Sequence, residues 1–125
     1  MDFSNDKAIF IQMGERLQDE IVAGKYKDDD RIPSVREYAV MLEVNTNTAM
    51  KAYEYLAREG IIYNKRGMGY YVKSGAANKI KQTERKVFIN GELPRIFRKM
   101  NLLGISFEEI ADEYKRRKNE TNQDI

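Results

Sequence analysis

Between residues 44 and 51 the chain reads Val-Asn-Thr-Asn-Thr-Ala-Met-Lys. Asn45, Thr46, Asn47 and Thr48 offer a run of short hydrogen-bonding side chains suited to phosphate oxygens. Asn47 also has the paired donor and acceptor that match adenine N6 and N7. Met50 has an apolar end for a thymine methyl, and Lys51 is a point charge for phosphate. The same residue types also make an ordinary solvated helix face. A second candidate chemistry sits at Asp28-Asp29-Asp30, whose oxygens could ligate a divalent cation. Three adjacent acids in a loop are more often simply solvated. The chain has no cysteine and no histidine. That removes the commonest general base, the commonest metal ligand and all thiolate chemistry. Neither an enzyme nor a bound metal or cofactor is expected.

The elements around the polar run define what it is for. Phe10, Met13, Gly14, Leu17 and Ile21 recur at steps of three and four, so residues 7–23 form a helix with one buried stripe. Gly24 suits the left-handed position that ends it. Lys27 to Arg31 is too charged to bury and is expected as a surface loop. Pro33-Ser34 opens a second helix, with Ser34 and Glu37 as a capping box and Val35, Tyr38, Ala39 and Leu42 inward. Val44 is expected to plug the turn. The third helix begins at Asn45 or Thr46, both able to cap. Its inward stripe is Ala49, Ala52, Tyr53 and Leu56, which leaves Asn47, Met50, Lys51 and Glu54 outside. Gly60 ends it. Ile61–Tyr63 and Tyr70–Val72 are β-prone runs around a Gly-containing turn over residues 64–69. Tyr53, Leu56, Ile61 and Tyr71 are expected in the core. Two helices followed by a hairpin make a helix-turn-helix with a wing, an arrangement that holds DNA.

Ser74–Ala77 has the composition of a linker. Residues 78–102 then have helical spacing, with a kink or break expected near Gly91–Pro94. Gly104 closes this stretch, and Ser106 with Glu109 starts a last helix with Phe107, Ile110, Ala111 and Tyr114 inward. Residues after Lys118 are polar and expected to fray. The fold class is mainly α with a small β-hairpin. It divides into a winged helix-turn-helix domain over residues 7–75 and a short α-helical dimerisation tail over residues 76–125. Ile89, Leu93, Ile96, Phe97 and Met100, with Phe107, Ile110 and Tyr114, exceed what two isolated helices can bury. A symmetric second copy would cover them, so a homodimer is expected.

The 125 residues carry a net charge of only +2, unevenly placed. Residues 1–30 hold four Lys or Arg against eight Asp or Glu, whereas residues 31–73 hold seven against four. Phosphate attraction needs such a local basic region, not a basic whole. No apolar run approaches the ~20 residues that span a bilayer. The acidic start lacks a signal-peptide layout, so a cytoplasmic location is expected.

The blocks Ile32-Pro33-Ser34-Val35-Arg36-Glu37-Tyr38-Ala39, Val44 to Ala49, Ala52 to Gly60 and Arg66-Gly67-Met68-Gly69-Tyr70-Tyr71-Val72 resemble, in order and spacing, those of the GntR family of bacterial transcription regulators. The opening Ile9-Phe10-Ile11-Gln12-Met13 is similar to that family's start as well. The resemblance implies a repressor that binds a palindromic operator as a homodimer. It implies that Arg36 reads bases in the major groove and that Lys65, Arg66 and Gly67 form a minor-groove wing tip. Ser34 would add a phosphate contact beside its capping role. Many members have arginine where Thr46 and Met50 stand here. Only about fifty residues follow the wing, which resembles the YtrA branch, whose two-helix tail dimerises. A small-molecule effector in the dimer crevice is compatible with that layout. The competing function is a winged-helix module for protein contact, without specific DNA binding; salt-dependent DNA affinity separates the two.

Overall fold

The computed structural model describes residues 7–121, which pack as two compact units, one ending at Thr83 and one beginning at Glu84. The first unit holds α1 (Ile9–Val22), α2 (Val35–Leu42), α3 (Thr46–Arg58), β1 (Ile62–Lys65), β2 (Gly69–Val72) and most of α4 (Ala76–Val87). Its core takes Met13, Leu17 and Ile21 from α1, Val35, Tyr38, Ala39 and Leu42 from α2, and Ala49, Ala52, Tyr53 and Leu56 from α3. Each inward stripe expected from spacing is buried, with Phe10 packed at the edge. Burying a large apolar side chain contributes about 1.5–3 kcal/mol, so these stripes set the packing of the three helices. Val44 is half-buried in the turn between α2 and α3.

The helix starts follow local chemistry. Ser34 caps α2 with a full capping box: its Oγ accepts from the Glu37 amide at 3.1 Å, and its own amide donates to Glu37 Oε1 at 2.9 Å. Those bonds, the backbone one first, hold the Glu37 carboxyl below the usual carboxylate range. Ser34→Ala is expected to cost about 1 kcal/mol of stability, measured as a shift of the urea midpoint at unchanged slope. Asn45 caps α3, its Oδ1 accepting from the Asn47 amide at 2.7 Å. Gly60 closes α3 at φ +75°, and a Cβ there would stand 2.7 Å from Lys79 Nζ, which donates to the Glu59 carbonyl. Gly60 thus serves both the left-handed turn and a cation seated on the exposed end of α3.

β1 and β2 pair antiparallel with Ile62 opposite Val72, Tyr63 opposite Tyr71, Asn64 opposite Tyr70 and Lys65 opposite Gly69. The side-chain period of two puts Ile62, Val72 and Tyr70 on the core side and Tyr63 and Tyr71 on the other. Tyr71 is therefore not a core residue, contrary to the sequence expectation; Tyr70 packs on the core instead. The Lys27–Arg31 loop is exposed, but it is also tied down. The Asp29 amide donates to Val72 O, Val72 to Asp30 O and Ile32 to Tyr70 O, and Arg31 bridges Tyr71. Residues 29–32 thus line the free edge of β2. The three aspartates have separate partners: Asp28 accepts from the Gly75 amide and the Ser74 hydroxyl, Asp29 from Tyr63 and Asp30 from the Lys27 amide. Among the described residues no acidic group is arranged to hold a metal.

Ser74–Ala77 is not a linker. Asp28 fixes its turn, Gly75 takes φ +81°, and Ala76 and Ile80 of α4 are buried in the first core. The packing boundary therefore falls inside α4, after the 75/76 division drawn from composition.

The second unit continues from α4 through a π-helical segment, Phe88–Glu92, into α5 (Leu93–Leu103), then α6 (Phe107–Thr121). The interruption expected at Gly91–Pro94 is a widening rather than a break. Pro94 has no N–H and its ring would crowd the carbonyl one turn back. The π turn opens that space, and the Leu93 amide donates to Phe88 O. Gly104 ends α5 at φ +70°, with the Ile105 amide returning to Met100 O, and the Glu109 amide donates to Ser106 Oγ. Phe107, Ile110 and Tyr114, expected inward, are exposed in the single chain, as are Ile89, Ile96 and Phe97; Leu93, Met100 and Ala111 are half-covered. α6 continues through Thr121, past the point where fraying is expected, and residues 122–125 lie outside the described residues. No helix among the described residues is long and apolar enough to cross a membrane.

Candidate nucleic-acid interface

A column of aromatic rings joins the three elements that carry the candidate contacts. Tyr38 of α2 lies 6.0 Å from Tyr53 of α3, and Tyr53 meets Tyr70 of the hairpin edge to face at 5.0 Å. The Tyr53 hydroxyl donates to Pro33 O, just before the α2 cap, and the Tyr38 hydroxyl donates to Glu20 of α1. Burial, then the nearby negative groups, push both phenols far above their ordinary range, so both act as fixed hydrogen donors.

Around this column the candidate side chains point outward. Arg36, second residue of α2, is exposed and makes no ion pair or hydrogen bond with another described residue. Its fork of donors is therefore not committed elsewhere. Ser34 gives its oxygen to the Glu37 amide, which leaves its proton for a phosphate at the helix start. On α3, Thr46, Asn47, Met50 and Lys51 are exposed, Thr48 is half-buried, and Asn45 spends its side-chain oxygen on the cap. Asn47, Met50 and Lys51 share one face, which ends at the acid Glu54 one turn on. The donors thus gather at the N-terminal ends of α2 and α3, where unpaired amides favour anions.

At the wing tip the Met68 amide donates to Lys65 O at 2.8 Å and Gly67 takes φ +76°. Lys65, Arg66, Gly67 and Met68 are all exposed there. Lys65 Nζ lies over the Tyr71 ring, 5.2 Å from its centroid. Sequence reasoning did not single out Arg31, Tyr63 or Tyr71 at this surface. The only available signal was the basic residue just before Ile32, which composition assigns to a loop.

Two capped helices, an exposed polar face on the second, and a cation-tipped hairpin on one core define a winged helix-turn-helix DNA-binding protein. The pattern of bacterial regulatory proteins of the gntR family matches residues 12–72. The transcriptional repressor YtrA of Bacillus subtilis is 30% identical over 112 residues, covering 90% of this chain and 85% of YtrA. A GntR-family regulator of Bacteroides thetaiotaomicron, known as a crystal structure, is 43% identical with a TM-score of 0.78, covering 91% of this chain and 99% of its own. The DNA-binding domain of AraR bound to operator ORX1 superposes with a TM-score of 0.51 at 26% identity, over 57% of this chain and 92% of that domain. The chain belongs to the GntR family and is of its YtrA-like type: a DNA-binding transcription regulator, not an enzyme.

Proposed function

We propose that the chain is a cytoplasmic transcriptional repressor that binds a two-fold symmetric operator as a homodimer. Residues 7–75 would supply the DNA contacts and residues 76–125 the dimer. One half-site is gripped by each protomer. Arg36 enters the major groove with the N-terminal face of α3, and Lys65-Arg66-Gly67 reach the adjacent minor groove. The uncommitted Arg36 guanidinium beside the polar start of α3 carries the reading of DNA contact. The dimer is supported by the second unit, where Phe97 is 49% exposed, Phe107 71% and Tyr114 65%. Ile89, Leu93, Ile96, Met100 and Ile110 extend the same apolar surface, which water does not stabilise. A dimer crevice is also where a small-molecule effector would sit.

Sequences enriched from a random duplex pool by the full chain are expected to be palindromic, with half-site centres about 10 bp apart or a multiple of that. The unmodified protein is expected to sediment as a dimer. Phe97→Glu is expected to sediment as a monomer and to lose operator affinity by a factor of about 100 or more. Enriched sites without symmetry, or a monomer at all concentrations, refute the dimeric reading. Failure to enrich any sequence refutes specific DNA recognition.

A further inference from the structure

Arg31 has a defined place on the wing. Its main-chain bridge to Tyr71 puts the two side chains on the same outward face, and Tyr63 stands opposite Tyr71 on that face. The Tyr63 and Tyr71 rings stack at 5.8 Å with 22° between their planes. Tyr63 is fixed at its far end, its hydroxyl donating to Asp29 at 3.0 Å. Lys65 Nζ lies over Tyr71. The Arg31 guanidinium runs across Gly69, where a Cβ would stand 3.3 Å from Arg31 Nε and 3.5 Å from Nη2. Gly69, at φ +107°, therefore clears the path that Arg31 takes toward the Lys65 end of the hairpin.

Two cations are thus laid on one face of a rigid sheet, one from each outer edge. Neither has an ion pair with a described acid. The acids nearby are engaged elsewhere: Asp29 holds Tyr63, and Glu37 holds the Ser34 amide. A cation resting on a ring keeps its charge while losing rotamer freedom in advance, so less order has to be imposed when an anion arrives. The face offers flat rings and two exposed cations, which suits a repeating anionic backbone more than a base edge.

We propose that Lys65, held over the Tyr71 ring, and Arg31, laid across Gly69, form a phosphate clamp on the outer face of the wing that grips the backbone of double-stranded DNA. The clamp rests on the DNA-binding reading above, in which Lys65 meets the phosphates that border the minor groove reached by the wing tip, and adds Arg31, Tyr63 and Tyr71 to it. Arg31 and Lys65 are the contacts; Tyr71 and Tyr63 are positioning residues.

Phosphate contacts are independent of sequence, so the probe is a 30-bp duplex of mixed sequence, titrated with the full chain across a series of NaCl concentrations. Losing one phosphate contact lowers the slope of log affinity against log salt by about 0.9. Arg31→Gln is expected to show that drop and Arg31→Lys to restore most of it. Tyr71→Leu removes no charge, yet is expected to weaken binding about two- to fivefold. Tyr71→Phe is expected to match the unmodified protein. In a Lys65→Gln background, Tyr71→Leu is expected to add little. Thermal unfolding of each variant separates these effects from loss of fold. An unchanged salt slope in Arg31→Gln overturns the clamp while leaving DNA binding intact. So does an equal effect of Tyr71→Leu with and without Lys65. Absence of any duplex binding by the unmodified protein at low salt overturns the DNA-binding reading and the clamp together.

Discussion

Arg36→Ala is expected to abolish discrimination between operator and unrelated duplex while the fold and the oligomeric state persist. The side chain is solvent-exposed at the second position of α2 and makes no hydrogen bond or ion pair with another described residue, so truncating it breaks no polar bond of the fold. The capping box beside it is made by Ser34 and Glu37 and survives the change. A guanidinium bidentate to guanine contributes about 1–3 kcal/mol of discrimination, or about five- to 150-fold per half-site. Thr46 and Met50 add no cation on α3, so no neighbouring guanidinium on that helix can substitute for the one lost. The measurement is affinity for an enriched operator and for a scrambled duplex, with circular dichroism and sedimentation on the same samples. Retained preference for the operator would remove Arg36 from the reading set. Arg36→Lys should recover affinity for both duplexes without recovering the preference, because an ammonium is a point charge without the fork.

The largest stability effect is expected at Tyr53. It has no accessible surface, lies between Tyr38 and Tyr70, and donates to Pro33 O. Tyr53→Ala would open a cavity where α2, α3 and the hairpin meet and leave the Pro33 carbonyl without its partner. Losses for large aromatic residues in cores are about 3–5 kcal/mol. That is a fifth or more of the stability of an ordinary domain of about 5–15 kcal/mol. Tyr53→Phe keeps the ring and removes only the hydroxyl, with an expected cost of about 1 kcal/mol. Urea unfolding of both variants gives the two numbers. A small loss in Tyr53→Ala would mean that the aromatic column does not couple the three elements.

The parts of this fold that local chemistry determines were legible in the residues. Stripes at helical spacing gave the inward faces of α1, α2 and α3, and short polar side chains gave the caps at Ser34 and Asn45. Pairing between distant segments was not legible. The edge formed by residues 29–32 is held by main-chain bonds to Tyr70 and Val72, which no side-chain pattern in Lys27–Arg31 reveals. Tyr70 and Tyr71 are the same residue type side by side; only the hairpin register decides which faces the core. The mistaken burial of Tyr71 and the missed placement of Arg31 beside β2 share that cause. In the tail, periodicity located the apolar stripe correctly but not its covering: Phe107 and Tyr114 face solvent in the single chain. Among the candidate DNA contacts, the outward positions followed from helix phase, whereas the commitment of Asn45 to the cap depends on a bond to Asn47 that the sequence allowed but did not require.

The π turn at Phe88–Glu92 has a consequence for how this chain can be compared and edited. Such a turn takes up one residue more than an α turn while the helices on either side stay in phase. A relative without that residue should align across residues 88–92 with a single-residue gap, and a gap placed elsewhere in the tail would put every later side chain about 100° out of phase. With Pro94 replaced as well, residues 88–92 are accordingly where this helical run can lose a residue and still present Ile96, Phe97 and Met100 on the same side.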